Sequence, residues 1–257
     1  MTSKVEVMGS TPTLDIADFF EAIAREPRAN KLGAALGFAG CASWDDEGRY
    51  ICGPSVSLVG IGGVPISPEL LALYQDGGRN MMAASAGMSY LNSGNKPLDA
   101  LYPSVIARGH HSIAHTTTAN LLVAGVSSGV ENEFNSQRDV VHLSRVTNAR
   151  TGIQDRPPIV VPSADLLPIT RHIVEATDDA LATLPASTSL DEREERNLLY
   201  PSAKATLFLA TASLRNFQKL VAQAHDDGKE KEYQTALSAI NDCLSSLWPE
   251  LFTQEER

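Results

Sequence analysis

Apolar residues recur along this chain in two rhythms, one near 3.6 and one near 2, and together they divide it into helical and extended stretches. TLDIADFFEAIARE carries Leu14, Ile16, Phe19, Phe20 and Ile23 on one stripe, with Thr13 or Asp15 near its start, and predicts an N-terminal helix. YICGPSVSLVGIGG contains a predicted strand from Val56 to Ile61, closed by two glycines. ISPELLALYQ opens on Ser67 as an N-cap and Pro68 as first helical residue. NMMAASAGMSYL is small and apolar and predicts a buried helix.

HTTTANLLVAGV, rich in β-branched and apolar residues, predicts a strand over Thr116 to Val126. SSGVENEFNSQRDVVHLSRV places Val130, Phe134 and Val141 on one side and predicts a helix. PPIVVP predicts a short strand, and Ser163 caps a helix running to about Leu184. PASTSL is a linker and DEREERNLLY a charged helical turn. PSAKATLFLATASLRNFQKLVAQAH predicts one long helix, with Pro201 at its first position and Ala203, Leu207, Ala210, Leu214, Phe217 and Val221 at helical spacing. YQTALSAINDCLSSL predicts the last helix, stopped near Pro249. Few strands and abundant helix predict an α+β fold with one extended core and no obvious boundary.

Composition narrows the function classes. The chain has 257 residues, 43% of them hydrophobic and 20% charged, enough for a full core. No apolar run reaches the roughly eighteen residues a membrane helix needs, and the N-terminus has no signal-peptide pattern. A cytoplasmic location with no membrane partner is expected. The three cysteines, Cys41, Cys52 and Cys243, form no Cys-x-x-Cys pair, which argues against a disulfide framework or zinc cluster. A net charge of −10 argues against nucleic acid as a partner but leaves room for a small anion held by local arginines.

Against that acidity, RDVVHLSRVTNAR concentrates Arg138, Arg145 and Arg150 around His142. Two readings stand: a solvated helix face, or a phosphate cradle in which planar guanidinium forks act beside Thr147 and Asn148. RGHHSIAH brings His110, His111 and His115 together, as a polar turn, a metal site or a set of ligand donors. GIGG lacks P-loop spacing, and no G-x-S-x-G is present. Arg215, inside an apolar helix next to Leu214 and Phe217, needs a partner in the core or on a ligand, and Asn216 and Lys219 share its vicinity.

These segments resemble the flavin-dependent thymidylate synthases. RGHHSIAHTTTANLLVAGVSS is similar to that family's G-H-x-S/T, E-H and G-V-S-R stretch. RDVVHLSRVTNAR aligns with its R-H-R-x7-S-x-R signature, where Arg138 and Arg150 match but Asp139, Val140 and Asn148 replace His, Arg and Ser. YPSAKATLFLATASLRNFQKLV resembles the family's C-terminal pattern: Pro201, Thr206, Thr211 and Arg215 match, and Ser213 stands for an Asn. IVVPSADL resembles the I-P-S segment, so the likeness covers roughly residues 55 to 250.

The resemblance implies a homotetramer whose subunits each hold a central, mostly antiparallel sheet flanked by helices, with residues 1–54 as a helical N-terminal extension and 55–257 as the catalytic domain. It implies FAD as cofactor, UMP or dUMP as substrate, and methylenetetrahydrofolate and NADPH as co-substrates for methylation at uracil C5. By position, Ser89, His110, Ser112, Arg138, Ser213, Arg215 and Lys219 fall to the flavin. Asn135, Thr147, Asn148, Ala149, Arg150 and Arg196 fall to the nucleotide, with Arg150 as the catalytic candidate and no metal ligand. The chemistry needs no cysteine nucleophile, because the reduced flavin supplies hydride. The altered signature points to the divergent branch that methylates UMP in peptidyl-nucleoside antibiotic biosynthesis, as in the polyoxin pathway. A metal-dependent hydrolase built on HHSIAH and a non-catalytic flavin or nucleotide binder are the alternatives.

Overall fold

The computed structural model describes residues 38, 40–62, 64–65, 68–89, 97–145, 157–185, 189, 192, 195–196 and 198–252. The predicted helix over residues 13–26 lies outside them. Five strands form the principal sheet. They are β3 (Ser55–Ile61), β4 (Val64–Pro65), β5 (Thr118–Ser127), β6 (His142–Arg145) and β8 (Ala205–Ser213), in the order β4-β3-β5-β8-β6. Every pairing in it is antiparallel. A smaller sheet has the order β1 (Ala42–Ser43), β2 (Tyr50–Gly53), β7 (Ile159–Val160), with β2 and β7 parallel.

One face of the principal sheet carries the main core. Leu121, Val123, Phe208 and Ala210 pack there against helices α1 (Pro68–Ser89), α2 (Leu98–Ile106), α3 (Ser128–Ser136), α5 (Leu214–Val221), α6 (Lys231–Ser245) and α7 (Pro249–Phe252). Phe134 of α3 sits between Phe208 and Tyr233, with ring centroids 5.3 and 5.1 Å away. The opposite face is apolar at one end only, where Val59, Leu122, Ala124 and Leu207 are covered by Phe38 and Cys41. The small sheet packs Tyr50, Ile159 and Val161 against Val174 of α4 (Leu167–Ala182). This mixed architecture of antiparallel sheet and flanking helices is the class expected from the sequence.

Several elements differ from their predicted form. The long helix predicted over 201–225 is a strand followed by a helix, with Ser213 as the N-cap between them. Small apolar residues in ATLFLATAS satisfy a period of 2 as well as 3.6, and nine registered pairs with β5 select the strand. The helix predicted from Ser127 through Val146 ends at Ser136, and His142–Arg145 instead pairs with Thr211–Phe208 as an edge strand. The two helices predicted on either side of residue 78 are one, Pro68–Ser89. The helix runs through Gly78, where a Cβ would meet Thr117 Cγ2 at 3.1 Å and the carbonyl accepts the Thr117 hydroxyl at 3.2 Å, so the close packing favours glycine there. The Met-rich stretch is buried on one side at Met82, Ala83 and Ala86, with Met81 and Met88 exposed. Ser163 makes no side-chain cap; a short 3₁₀ turn at Ala164–Leu166 leads into α4 instead.

Candidate functional site

Two sequence segments, tied at three points, converge on α5, which belongs to a third. The first is a 3₁₀ helix, His111–Thr116, entered from the positive-φ Gly109 and from His110. Its His115 Nδ1 lies 3.1 Å from Ser213 Oγ, across 98 residues of chain. Ser213 Oγ also accepts the Asn216 backbone N–H at 3.2 Å, the ordinary N-cap bond. The Ser213 hydroxyl, with one proton and a second lone pair, can serve either tautomer of the His115 ring while it caps the helix.

The second tie is His111, whose Nδ1 lies 3.0 Å from Gln218 Nε2, across 107 residues. Gln218 is a hub: its Nε2 donates to the Leu251 carbonyl at 2.6 Å, and its Oε1 accepts from Arg215 Nη1 at 3.1 Å. The half-buried Arg215 is therefore oriented by a neighbour one turn away that is itself anchored to α7. The second segment makes the third tie through Asn216, whose Nδ2 donates to the Val140 carbonyl at 2.9 Å. This fastens the turn 137–141, and with it Arg138, to the same helix end.

The charge around α5 is positive, with Arg215 in its first turn, Lys219 in its last and Arg138 beside it. Arg138 is exposed and uses its Nε on the Asn135 carbonyl at 3.3 Å; its terminal nitrogens make no hydrogen bond among the described residues. Lys219 is exposed and has no ion pair among the described residues. The N-terminal backbone amides of α5 add a partial positive charge. Guanidinium and ammonium donors of this kind suit the diphosphate of a dinucleotide cofactor such as FAD, whereas the Leu214 and Asn216 N–H groups are already taken up by the Thr117 carbonyl and the Ser213 hydroxyl.

The remaining candidates fall elsewhere. Ser112 and His110 are exposed on the same 3₁₀ entry. Ser89 is the last residue of α1, and its side chain is outside the description. Asn135 is half-buried near the end of α3. Arg196 donates to the Pro185 carbonyl, and no hydrogen bond joins it to the cluster among the described residues. Thr147, Asn148, Ala149 and Arg150 lie outside the described residues. Arg145 proves to be neither part of a helix face nor a free cation: its Nη1 pairs with the buried Glu131 at 3.0 Å.

Two histidines four apart share a face on an α-helix but not on a 3₁₀ helix of three residues per turn. His111 and His115 accordingly serve different partners, and no group of three or more His, Cys, Asp or Glu residues is arranged to hold a metal among the described residues. Gln218 escaped the sequence reading. Its only signal was its place three residues after Arg215, on the same helix face.

No protein-family model matches the chain, and no curated protein does. Solved structures do. Thymidylate synthase X from Helicobacter pylori, with FAD and dUMP, is 16% identical with a TM-score of 0.54, over 77% of this chain and 97% of that one. A second structure of the flavin-dependent enzyme from that organism, also complexed with FAD and dUMP, reaches a TM-score of 0.59 at 13% identity, over 77% and 97%. The UMP/dUMP methylase PolB from Streptomyces cacaoi, bound with 5-Br dUMP, gives 0.57 at 12%, over 80% and 95%. The likeness read from the motif segments is thus matched in three dimensions: this chain has the fold of the flavin-dependent thymidylate synthases and of the UMP/dUMP methylase.

Proposed function

We propose that this protein is a flavin-dependent methyltransferase that methylates the C5 position of UMP, dUMP or both, with methylenetetrahydrofolate and NADPH as co-substrates. The observation that carries the reading is the meeting of three motif segments at one helix end, through His115–Ser213, His111–Gln218 and Asn216–Val140. That the chain has the fold of enzymes of this class supports it.

Bound FAD, once reduced, supplies the hydride. The chain's own residues bind and orient. Arg138, Arg215 and Lys219 hold the flavin's anionic groups, with His110, Ser112, Ser213 and Ser89 as hydrogen-bonding partners. Thr147, Asn148, Ala149 and Arg150, with Asn135 and Arg196, hold the nucleotide. Arg150 stabilises the negative charge that develops on the pyrimidine or its phosphate. A cytoplasmic homotetramer and a place in nucleoside-antibiotic biosynthesis complete the proposal.

The test is direct. The purified protein is expected to be yellow and, supplied with FAD, NADPH, methylenetetrahydrofolate and UMP or dUMP, to yield a 5-methylated nucleotide by mass. Arg150→Ala is expected to weaken nucleotide binding by about 1.5–3 kcal/mol, the range for a charged hydrogen bond. Absence of flavin binding defeats the reading. Flavin bound with no methylated product selects the alternative of a non-catalytic binder. That alternative is favoured by one feature: Val140, in place of a signature arginine, packs against the core.

A further inference from the structure

The face of the principal sheet opposite the main core changes character along its strands. At one end Leu122, Ala124 and Leu207 are buried beneath Phe38 and Cys41. At the other end, on the same face, the alternating positions become Thr118 and Asn120 on β5 and Thr211 and Ser213 on β8, all half-buried. Register places Asn120 opposite Thr211 and Thr211 opposite His142, so one cross-strand row reads Asn120, Thr211, His142. Gly60 completes the row on β3 and contributes no side chain. The next row pairs Thr118 with Ser213, which brings His115 alongside.

Asparagine is disfavoured in the middle of a strand, and β5 is the central strand of this sheet. A local choice that contradicts its element is expected at functional or strained positions. The neighbour explains how Asn120 is held: Thr211 Oγ1 donates to Asn120 Oδ1 at 2.9 Å. With its carbonyl engaged, the amide is fixed about its last torsion, and Nδ2 keeps two N–H donors with no partner among the described residues. His142, exposed on the edge strand, stands at the far side of the same row.

We propose that this row is a recognition platform for a pyrimidine-dione edge, with Asn120 as the donor to a ring carbonyl, Thr211 as its positioning residue and His142 as a flanking contact. The proposal rests on the flavin and nucleotide reading above, because two ligands of that reaction share the pyrimidine-dione edge: the uracil of UMP or dUMP and the distal ring of the flavin. On the uracil arm the amide faces the C4 oxygen, where cytosine presents an amino group instead, so cytosine nucleotides bind poorly there.

The experiment measures the affinity of purified full-length protein for FAD, UMP, dUMP and CMP in separate titrations. The variants are Asn120→Asp, Asn120→Ala and Thr211→Val, with circular dichroism and thermal melting as the check on folding. Asn120→Asp faces the ligand carbonyl with a second acceptor and is expected to weaken one of the two ligand types by about tenfold or more. Asn120→Ala is expected to do so if the aspartate variant does not fold. Thr211→Val is expected to lower the same affinity, and to add little in the Asn120→Ala background, since it acts through that amide. The arm that moves identifies the source, UMP/dUMP or FAD. Affinities for both within twofold of the parent in the folded variants overturn the platform while leaving the flavin reading intact, as does equal binding of CMP and UMP when the uracil arm is the one that moves. A parent protein that binds neither ligand overturns both.

Discussion

His115 Nδ1 stands 3.1 Å from the Oγ of Ser213, the residue that also caps the backbone of α5. One hydroxyl therefore serves two ends: it fixes where the helix begins and where an imidazole from a distant segment is held. Ser213→Ala is expected to cost about 1 kcal/mol of stability, the usual loss of an N-cap, and to weaken flavin binding by freeing His115. Ser213→Asn keeps the cap and is expected to be nearly neutral in urea unfolding. Equal destabilisation by the two substitutions would show that the cap is not what Ser213 contributes.

Phe134 is fully buried and meets two aromatic rings, on β8 and on α6. Phe134→Ala is expected to destabilise the fold by about 3–5 kcal/mol, by removing apolar burial and leaving a cavity. Chemical denaturation measures it. A loss below 1 kcal/mol would mean the surrounding helices close the gap.

Gly125 sits at a bulge of β5 with φ +73°, and a Cβ built there would lie 2.5 Å from Cys41 Sγ and 3.2 Å from the Gly53 carbonyl oxygen. Gly125→Ala is expected to cost about 2–4 kcal/mol, from left-handed backbone strain and overpacking together. Removing the sulfur with Cys41→Ala is expected to recover only the overpacking part. A Gly125→Ala melting temperature equal to the parent's would contradict the close approach.

Burial pushes the thiols of Cys41 and Cys243 up to about 12 from an ordinary 9.0. It also pushes the phenols of Tyr200 and Tyr233 up to about 12 from 10.0, with the Asp178 carboxylate adding to the effect at Tyr200. The folded state keeps protons that the unfolded chain releases, so this contribution is fully present below about pH 9 and is lost as pH rises toward 12. Tm is expected to fall steadily from pH 9 to pH 11. Native Cys41 and Cys243 are expected to resist alkylation at pH 8 and to react once the chain is unfolded. A flat or rising Tm over that range would refute the assignment.

Periodicity and motif likeness together carried much of this protein. The helix beginning at Pro68 and the last helix were legible from helical spacing and start signals, and the strands through Leu121–Val126 and Ile159–Val160 from short apolar, β-branched runs, while the family likeness rested on residues in fixed order. ATLFLATASLRNF was misread because small apolar residues satisfy both periods; only pairing along β5 resolves them, and that pairing is a long-range fact. The same holds for His142–Arg145, an edge strand specified by its partner β8 more than by its own residues.

The site divides the same way. Local sequence marked Ser213, Arg215 and the histidine cluster as chemically capable, since residue type fixes what a group can donate or accept. It did not show that His115 reaches Ser213, that Gln218 orients Arg215, or that Arg145 is taken up by Glu131. Nor did it bring Asn120, Thr211 and His142 into one row. Sequence alone determined which groups exist and which local periods they follow. Tertiary structure decided which of them meet, because meeting depends on strand register and helix packing across some hundred residues of intervening chain.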